Sequence, residues 1–138
     1  MTPVLFGRWE TRIVMLGTLG AVVTAGFAIN DNTNVYFKVL GYIAAFGIGW
    51  DIVYYGIQQV KWDRDWPPFA QWLAGAGEGL FVYLMIDKVG LPGIDKGSVP
   101  LDYFIPHYAI VWASIWVFLQ GPIRAFSPVW RFHGGRFV

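Results

Sequence analysis

Four apolar stretches, residues 13–29, 35–57, 69–86 and 103–118 with an apolar continuation, dominate the sequence. Each approaches the length of about 20 residues that crosses the hydrocarbon core of a bilayer. The chain has 138 residues, 56% of them hydrophobic and 14% charged, with eight Trp, seven Tyr and eleven Phe. A water-soluble domain of this size has too little interior to hide so much apolar surface. In hydrocarbon the backbone must satisfy its own hydrogen bonds within each segment, so the four stretches read as helices. The expected fold is all-α: an integral membrane four-helix bundle, antiparallel and up-down, with helices at about 11–30, 34–60, 67–88 and 101–121 and a cytoplasmic tail at 124–138.

The links fit that order. NDNTN at 30–34 is a polar tract of turn and capping residues, short enough to make the first two helices a hairpin. KWDRDWPP at 61–68 supplies charge, two aromatic anchors and two prolines suited to opening the third helix. The longer link at 87–102, with three Gly and two Pro, forbids a continuous helix. VTAG at 23–26 loosely resembles a signal-peptidase site, but a retained first helix is the expected outcome. Counting basic residues by side, Arg8, Arg12, Lys61, Arg64, Arg124, Arg131 and Arg136 fall together, against Lys38, Lys88 and Lys96. The positive-inside rule therefore puts both termini in the cytoplasm.

Projected at 3.6 residues per turn, each helix carries one small or polar stripe. These are Gly17, Ala21, Thr24 and Ala28; Gly47, Asp51 and Gln58, beside Gly41, Ala45 and Gly49; Gln71, Gly75 and Glu78, with Gly79 completing a GxxxG; and His107, Ser114 and Gly121. Helices in lipid associate by close packing and hydrogen bonding, so the stripes are expected to face protein.

Asp51 and Glu78 are the expensive residues. An acidic side chain near a helix centre costs about 2.5–3.5 kcal/mol on insertion scales, so it must be paired, protonated or facing water. At about 1.5 Å per residue, Asp51 and Glu78 lie roughly 13 and 15 Å from the cytoplasmic ends of their helices. At matching depth they can share a proton, accept hydrogen bonds from Thr24, Tyr54, Tyr55, Gln58 or Gln71, or meet a Lys or Arg of another subunit. With His107 they also form a descending order that a proton relay would use.

His107 has no second His at membrane depth to complete a haem, and no carboxylate level with it to complete a zinc site. No cofactor or metal is expected, although a bound phospholipid is plausible. Cysteine is absent, which removes thiolate catalysis and iron–sulfur clusters. No GxSxG, HExxH, P-loop or dinucleotide fingerprint is present, so an enzyme is not expected. A net charge of +1 without a basic surface argues against nucleic acid. The tail RAFSPVWRFHGGRFV, with Arg124, Trp130, Arg131 and Arg136, reads as a membrane-interface segment touching anionic headgroups or docking on a neighbouring subunit.

RWETRIV before the first helix, the compact four-span body and the closing WRFHGGRFV resemble small actinobacterial membrane proteins. Some of these are accessory subunits at the rim of the bc–aa3 respiratory supercomplex. The resemblance implies a non-catalytic accessory or assembly subunit, whose partners would be other membrane-protein subunits and lipids. A small oligomeric proton- or cation-coupled transporter using Asp51 and Glu78 is the alternative.

Overall fold

The computed structural model of the chain describes residues 3–138. Among the described residues, four helices are long and apolar enough to cross a membrane: α1 Leu5–Asn30, α2 Val35–Val60, α3 Pro68–Val89 and α4 Leu101–Phe126. A short helix, α5 Pro128–Phe132, follows. Among the described residues there is no β-strand, only one isolated bridge between Leu91 and Ile94.

Helix α1 begins at Leu5, well before the expected start near residue 11. The residues LFGRWETR contain no proline to stop it, and Val4, extended at φ −88° and ψ 159°, opens the first turn by accepting the Arg8 N–H at 2.9 Å. Arg12 is consequently an interior helix residue rather than a flanking one. At the other end, α4 continues past residue 121 through a π-helical turn at Leu119–Ile123. Pro122 lies in that turn and has no N–H for the regular ladder. Similar wide turns occur at Leu16–Gly20 and Met85–Val89. Gly90, at φ 77°, then ends α3 and donates to the Met85 carbonyl at 2.9 Å, a left-handed stop that glycine adopts without strain.

Helix α1 packs along α2 and, from Leu16 onward, against α4; α3 packs on α2 and α4. Leu16, Val39, Leu40, Ile43, Val82, Ile86, Phe104 and Val111 form the apolar core on the side away from the termini. The link between α3 and α4 completes it, because Ile94 and Val99 turn inward and are 3% and 5% exposed. Removing each from water contributes about 1.5–3 kcal/mol. Lys38 Nζ donates to the Gly93 carbonyl at 3.0 Å and the Tyr42 hydroxyl donates to that of Pro92, fastening the link to α2. The outward faces are apolar, with Val22, Ile29, Leu73 and Val117 all exposed.

Candidate functional site: an arginine between two buried carboxylates

Asp51 and Glu78 come together on a residue outside the sequence-derived set. Arg12 enters from α1, about 10 Å along the helix from Leu5 at 1.5 Å per residue. Its Nε and Nη2 donate to Asp51 Oδ2 and Oδ1 at 2.8 and 2.9 Å. Its Nη1 and Nη2 donate to Glu78 Oε2 and Oε1 at 2.9 and 3.1 Å. Two edges of one planar guanidinium thus hold two carboxylates, and all four carboxylate oxygens accept from it. Bidentate charge-assisted bonds of this kind are the strong class, and the fixed fork of Arg fits them in a way that an ammonium cannot.

The sequence makes room for the fork at Gly47. This residue lies one turn before Asp51 on α2, and a Cβ placed there would overlap the Arg12 guanidinium. Asp51 and Glu78 are themselves buried, at 3% and 7% exposure.

Arg8, one turn before Arg12, belongs to the same cluster. Its Nη2 donates to Gln58 Oε1 at 2.9 Å, and its guanidinium lies 4.6 Å from the centroid of the Trp66 ring. Gln58 Nε2 donates in turn to the Arg64 carbonyl at 2.8 Å, tying the site to the link between α2 and α3. Two arginines and two carboxylates cancel in charge, which limits the cost of burying them.

Gly75 and Gly79 lie under aromatic side chains of α4. A Cβ at Gly75 would strike the Trp112 indole, and one at Gly79 the Tyr108 ring. The Tyr108 hydroxyl donates to the Gly75 carbonyl at 2.6 Å. The glycines therefore seat α4 beside Glu78, while the group that bonds Glu78 comes from α1. Gly41, Ala45 and Gly49 are exposed, on the face of α2 turned away from the rest of the chain; a Cβ at Gly41 or Gly49 would meet nothing. Gly17 is likewise exposed and open.

His107 is fully buried, but its bond goes to Thr24: Nε2 and Oγ1 are 2.9 Å apart. Its ring packs against Phe27 and Tyr36 at centroid distances of 5.4 and 4.9 Å. Neither carboxylate bonds to it, both being engaged by Arg12. Among the described residues, no group of three or more His, Asp or Glu side chains is placed to share a metal ion.

The tail folds back on α1. Trp130 is 5% exposed, and its Nε1 donates to Thr11 Oγ1 at 2.8 Å. The Thr11 hydroxyl donates to the Gly135 carbonyl at 2.8 Å, and Val4 N donates to the Gly134 carbonyl at 2.9 Å. Phe137 N donates to Glu10 Oε1 at 2.9 Å. Trp130 is thus an internal packing residue rather than part of an exposed interfacial face, because a hydroxyl on α1 satisfies its indole. Arg131 and Arg136 stay exposed, lying over the rings of Phe132 and Phe6. Arg124 Nη1 donates to Gln120 Oε1 at 2.9 Å.

A cavity of about 200 Å³ adjoins the cluster. Arg8, Arg12, Asp51 and Glu78 line it together with Trp66, Trp112, Trp116 and Trp130. Arg8 Nε and Trp116 Nε1 are buried donors with no acceptor in the chain. A buried donor left unmatched costs about 1–3 kcal/mol.

The missing member of the cluster left a trace in the sequence. Two acids inside apolar spans demand compensating cations, and the nearest, Arg8 and Arg12, stand one helical turn apart immediately before the first apolar stretch. No protein-family model, curated protein or solved structure matches the chain.

Proposed function

We propose that the chain is a non-catalytic accessory or assembly subunit of a larger membrane complex. In this reading it crosses a bacterial plasma membrane four times as an antiparallel up-down bundle. Both termini lie in the cytoplasm, on the side that carries Arg64, Arg124, Arg131 and Arg136.

The observation that carries the proposal is the Arg12 fork. A transporter that couples to protons or cations needs an intramembrane carboxylate able to take up and release its ion. Here all four oxygens of Asp51 and Glu78 already accept hydrogen bonds from one guanidinium of the same chain. That arrangement suits an internal fastener that joins α1, α2 and α3. The outward strip Gly41, Ala45 and Gly49 supplies what a partner helix needs for close backbone approach in lipid. The layout from RWETRIV through four spans to WRFHGGRFV resembles small actinobacterial membrane proteins, some of them accessory subunits of a respiratory supercomplex, and this reading takes an oxidase or supercomplex as the partner. Anionic lipids would meet the exposed Arg131 and Arg136.

Purification in mild detergent, followed by identification of co-migrating subunits, tests the proposal. A larger membrane complex should co-purify, and Gly41→Leu with Gly49→Leu should deplete it while the chain stays folded. Recovery of a self-assembled oligomer alone, with a proton flux in vesicles that Glu78→Gln abolishes, would instead establish the transporter.

A further inference from the structure

We propose that the C-terminal tail is a releasable strap. Clasped on α1, it walls the cavity beside the Arg12 fork at the end nearest the termini; released, it opens that cavity, with Asp51 and Glu78, to water. The proposal does not depend on the accessory-subunit reading.

The wall at that end is built from both ends of the chain. Pro3, Gly7 and Thr11 line the cavity of about 200 Å³ together with Trp130 and Gly135 of the tail. Deeper in, α1 packs directly on α4 through Leu16–Gly20. Toward the termini it is the tail that lies on α1 and supplies part of the wall.

The seat of the strap is written into α1. Val4, Gly7 and Thr11 recur at helical spacing and so share one face. Val4 N donates to the Gly134 carbonyl, and the Thr11 hydroxyl donates to that of Gly135. Between them, a Cβ at Gly7 would overlap the Gly134 carbonyl and the Gly135 backbone. Gly134 and Gly135 themselves have φ of 66° and 90°, which glycine adopts without strain. Three glycines thus let the tail cross α1 at backbone contact.

The strap is separable from the bundle. Ser127, at φ −116° and ψ 80°, leaves the helical region after α4, and Pro128 has no N–H to continue the ladder. Within residues 128–138 Trp130 is the one buried side chain, whereas Arg131, Phe132, His133, Arg136 and Val138 are exposed. The remaining ties are hydrogen bonds to Val4, Glu10 and Thr11. At the rim of the bundle water replaces such bonds with small net change. A segment held in this way belongs to the low-stability end of a structure, where local opening occurs. The fork, by contrast, joins α1, α2 and α3 through four charge-assisted bonds and stays when the tail leaves.

The chain contains no cysteine, so one introduced thiol reports access. The full chain, in lipid vesicles with reagent on both faces, carries either Ala74→Cys on the cavity wall or Gly77→Cys, which faces open space on the outer side of α3. The probe is 2-sulfonatoethyl methanethiosulfonate, whose charge confines it to water. Gly7→Ala pries up the strap, because its methyl meets Gly134 and Gly135, and Thr11→Val removes two of its bonds. Modification tracks the population of the open form when opening and closing are fast, so Ala74→Cys should label about tenfold faster in Gly7→Ala. It should label several-fold faster in Thr11→Val, with Gly77→Cys unchanged in both. No acceleration at Ala74→Cys in either variant would overturn the proposal, since the tail would then not close the cavity. Equal acceleration at Gly77→Cys would overturn it as well, making the tail part of the packing of the whole bundle rather than a separable strap.

Discussion

The α-carbon of Gly47 faces the guanidinium of Arg12 so closely that even a methyl group between them would overlap the fork. Gly49, two residues on, faces open space on the other side of the same helix. Alanine at the two positions should therefore behave in opposite ways. Gly47→Ala displaces Arg12 or spreads α1 from α2 and should destabilise by about 1–3 kcal/mol, the usual cost of overpacking. Gly49→Ala should be neutral or slightly stabilising, since it raises helix propensity by up to about 1 kcal/mol. Thermal unfolding in one detergent, monitored by circular dichroism, compares them directly.

Removing Arg12 alone strands two carboxylates. Arg12→Met should cost about 3–5 kcal/mol, the range for breaking one side of a buried ionic network. Arg12→Lys should recover only part of that loss, because an ammonium lacks the planar fork that meets both carboxylates side by side. Replacing the three members together, as Arg12→Met with Asp51→Leu and Glu78→Met, should be less damaging than Arg12→Met alone. Unfolding midpoints of the three variants give the order.

How much of this was legible in the sequence differs from residue to residue. The four helices were, because apolar runs of spanning length leave the backbone little alternative. The stripe of Gly47, Asp51 and Gln58 also followed from periodicity, and all three residues are buried. Arg12 did not. Its position just before an apolar run looks like a membrane-flanking cation, and only the helical start at Leu5 carries it inside. Trp130 misled for a related reason: tryptophan beside arginine has the composition of an interfacial belt, yet Thr11, more than a hundred positions earlier, satisfies its indole. Both cases turn on pairings between distant parts of the chain, which local pattern does not encode. Gly41, Ala45 and Gly49 show the complementary ambiguity, since a small stripe has the same periodicity whichever way it faces.

Two of the hydrogen bonds that hold the tail meet at one hydroxyl, beside those from Val4 to Gly134 and from Phe137 to Glu10. Thr11 accepts from Trp130 and donates to Gly135. Thr11→Val keeps the shape and removes both bonds, leaving the indole N–H unmatched at about 1–3 kcal/mol. Limited trypsin digestion should then cut after Arg131 and Arg136 several-fold faster than in the native chain, with the helices intact by circular dichroism. An unchanged cleavage rate would mean that the tail is held by other contacts.

His107 and Thr24 form the second buried polar contact. His107→Phe leaves the Thr24 hydroxyl without its partner and should cost about 1–3 kcal/mol. Adding Thr24→Ala should recover part of this loss, a coupling of about 0.5–3 kcal/mol typical of contacting residues. Unfolding of both single variants and the double variant measures that coupling, and strict additivity would contradict the contact.

The most direct measurement of the central relationship is a solid-state NMR distance experiment in lipid bilayers, with ¹⁵N in the arginine guanidinium groups and ¹³C in the aspartate and glutamate carboxyl groups. Signals assigned by Asp51→Asn and Glu78→Gln should both dephase strongly against guanidinium nitrogen, and both effects should disappear in Arg12→Lys when the remaining arginines stay labelled. Dephasing at only one carboxylate, at neither, or persisting in Arg12→Lys would contradict a single arginine holding both acids.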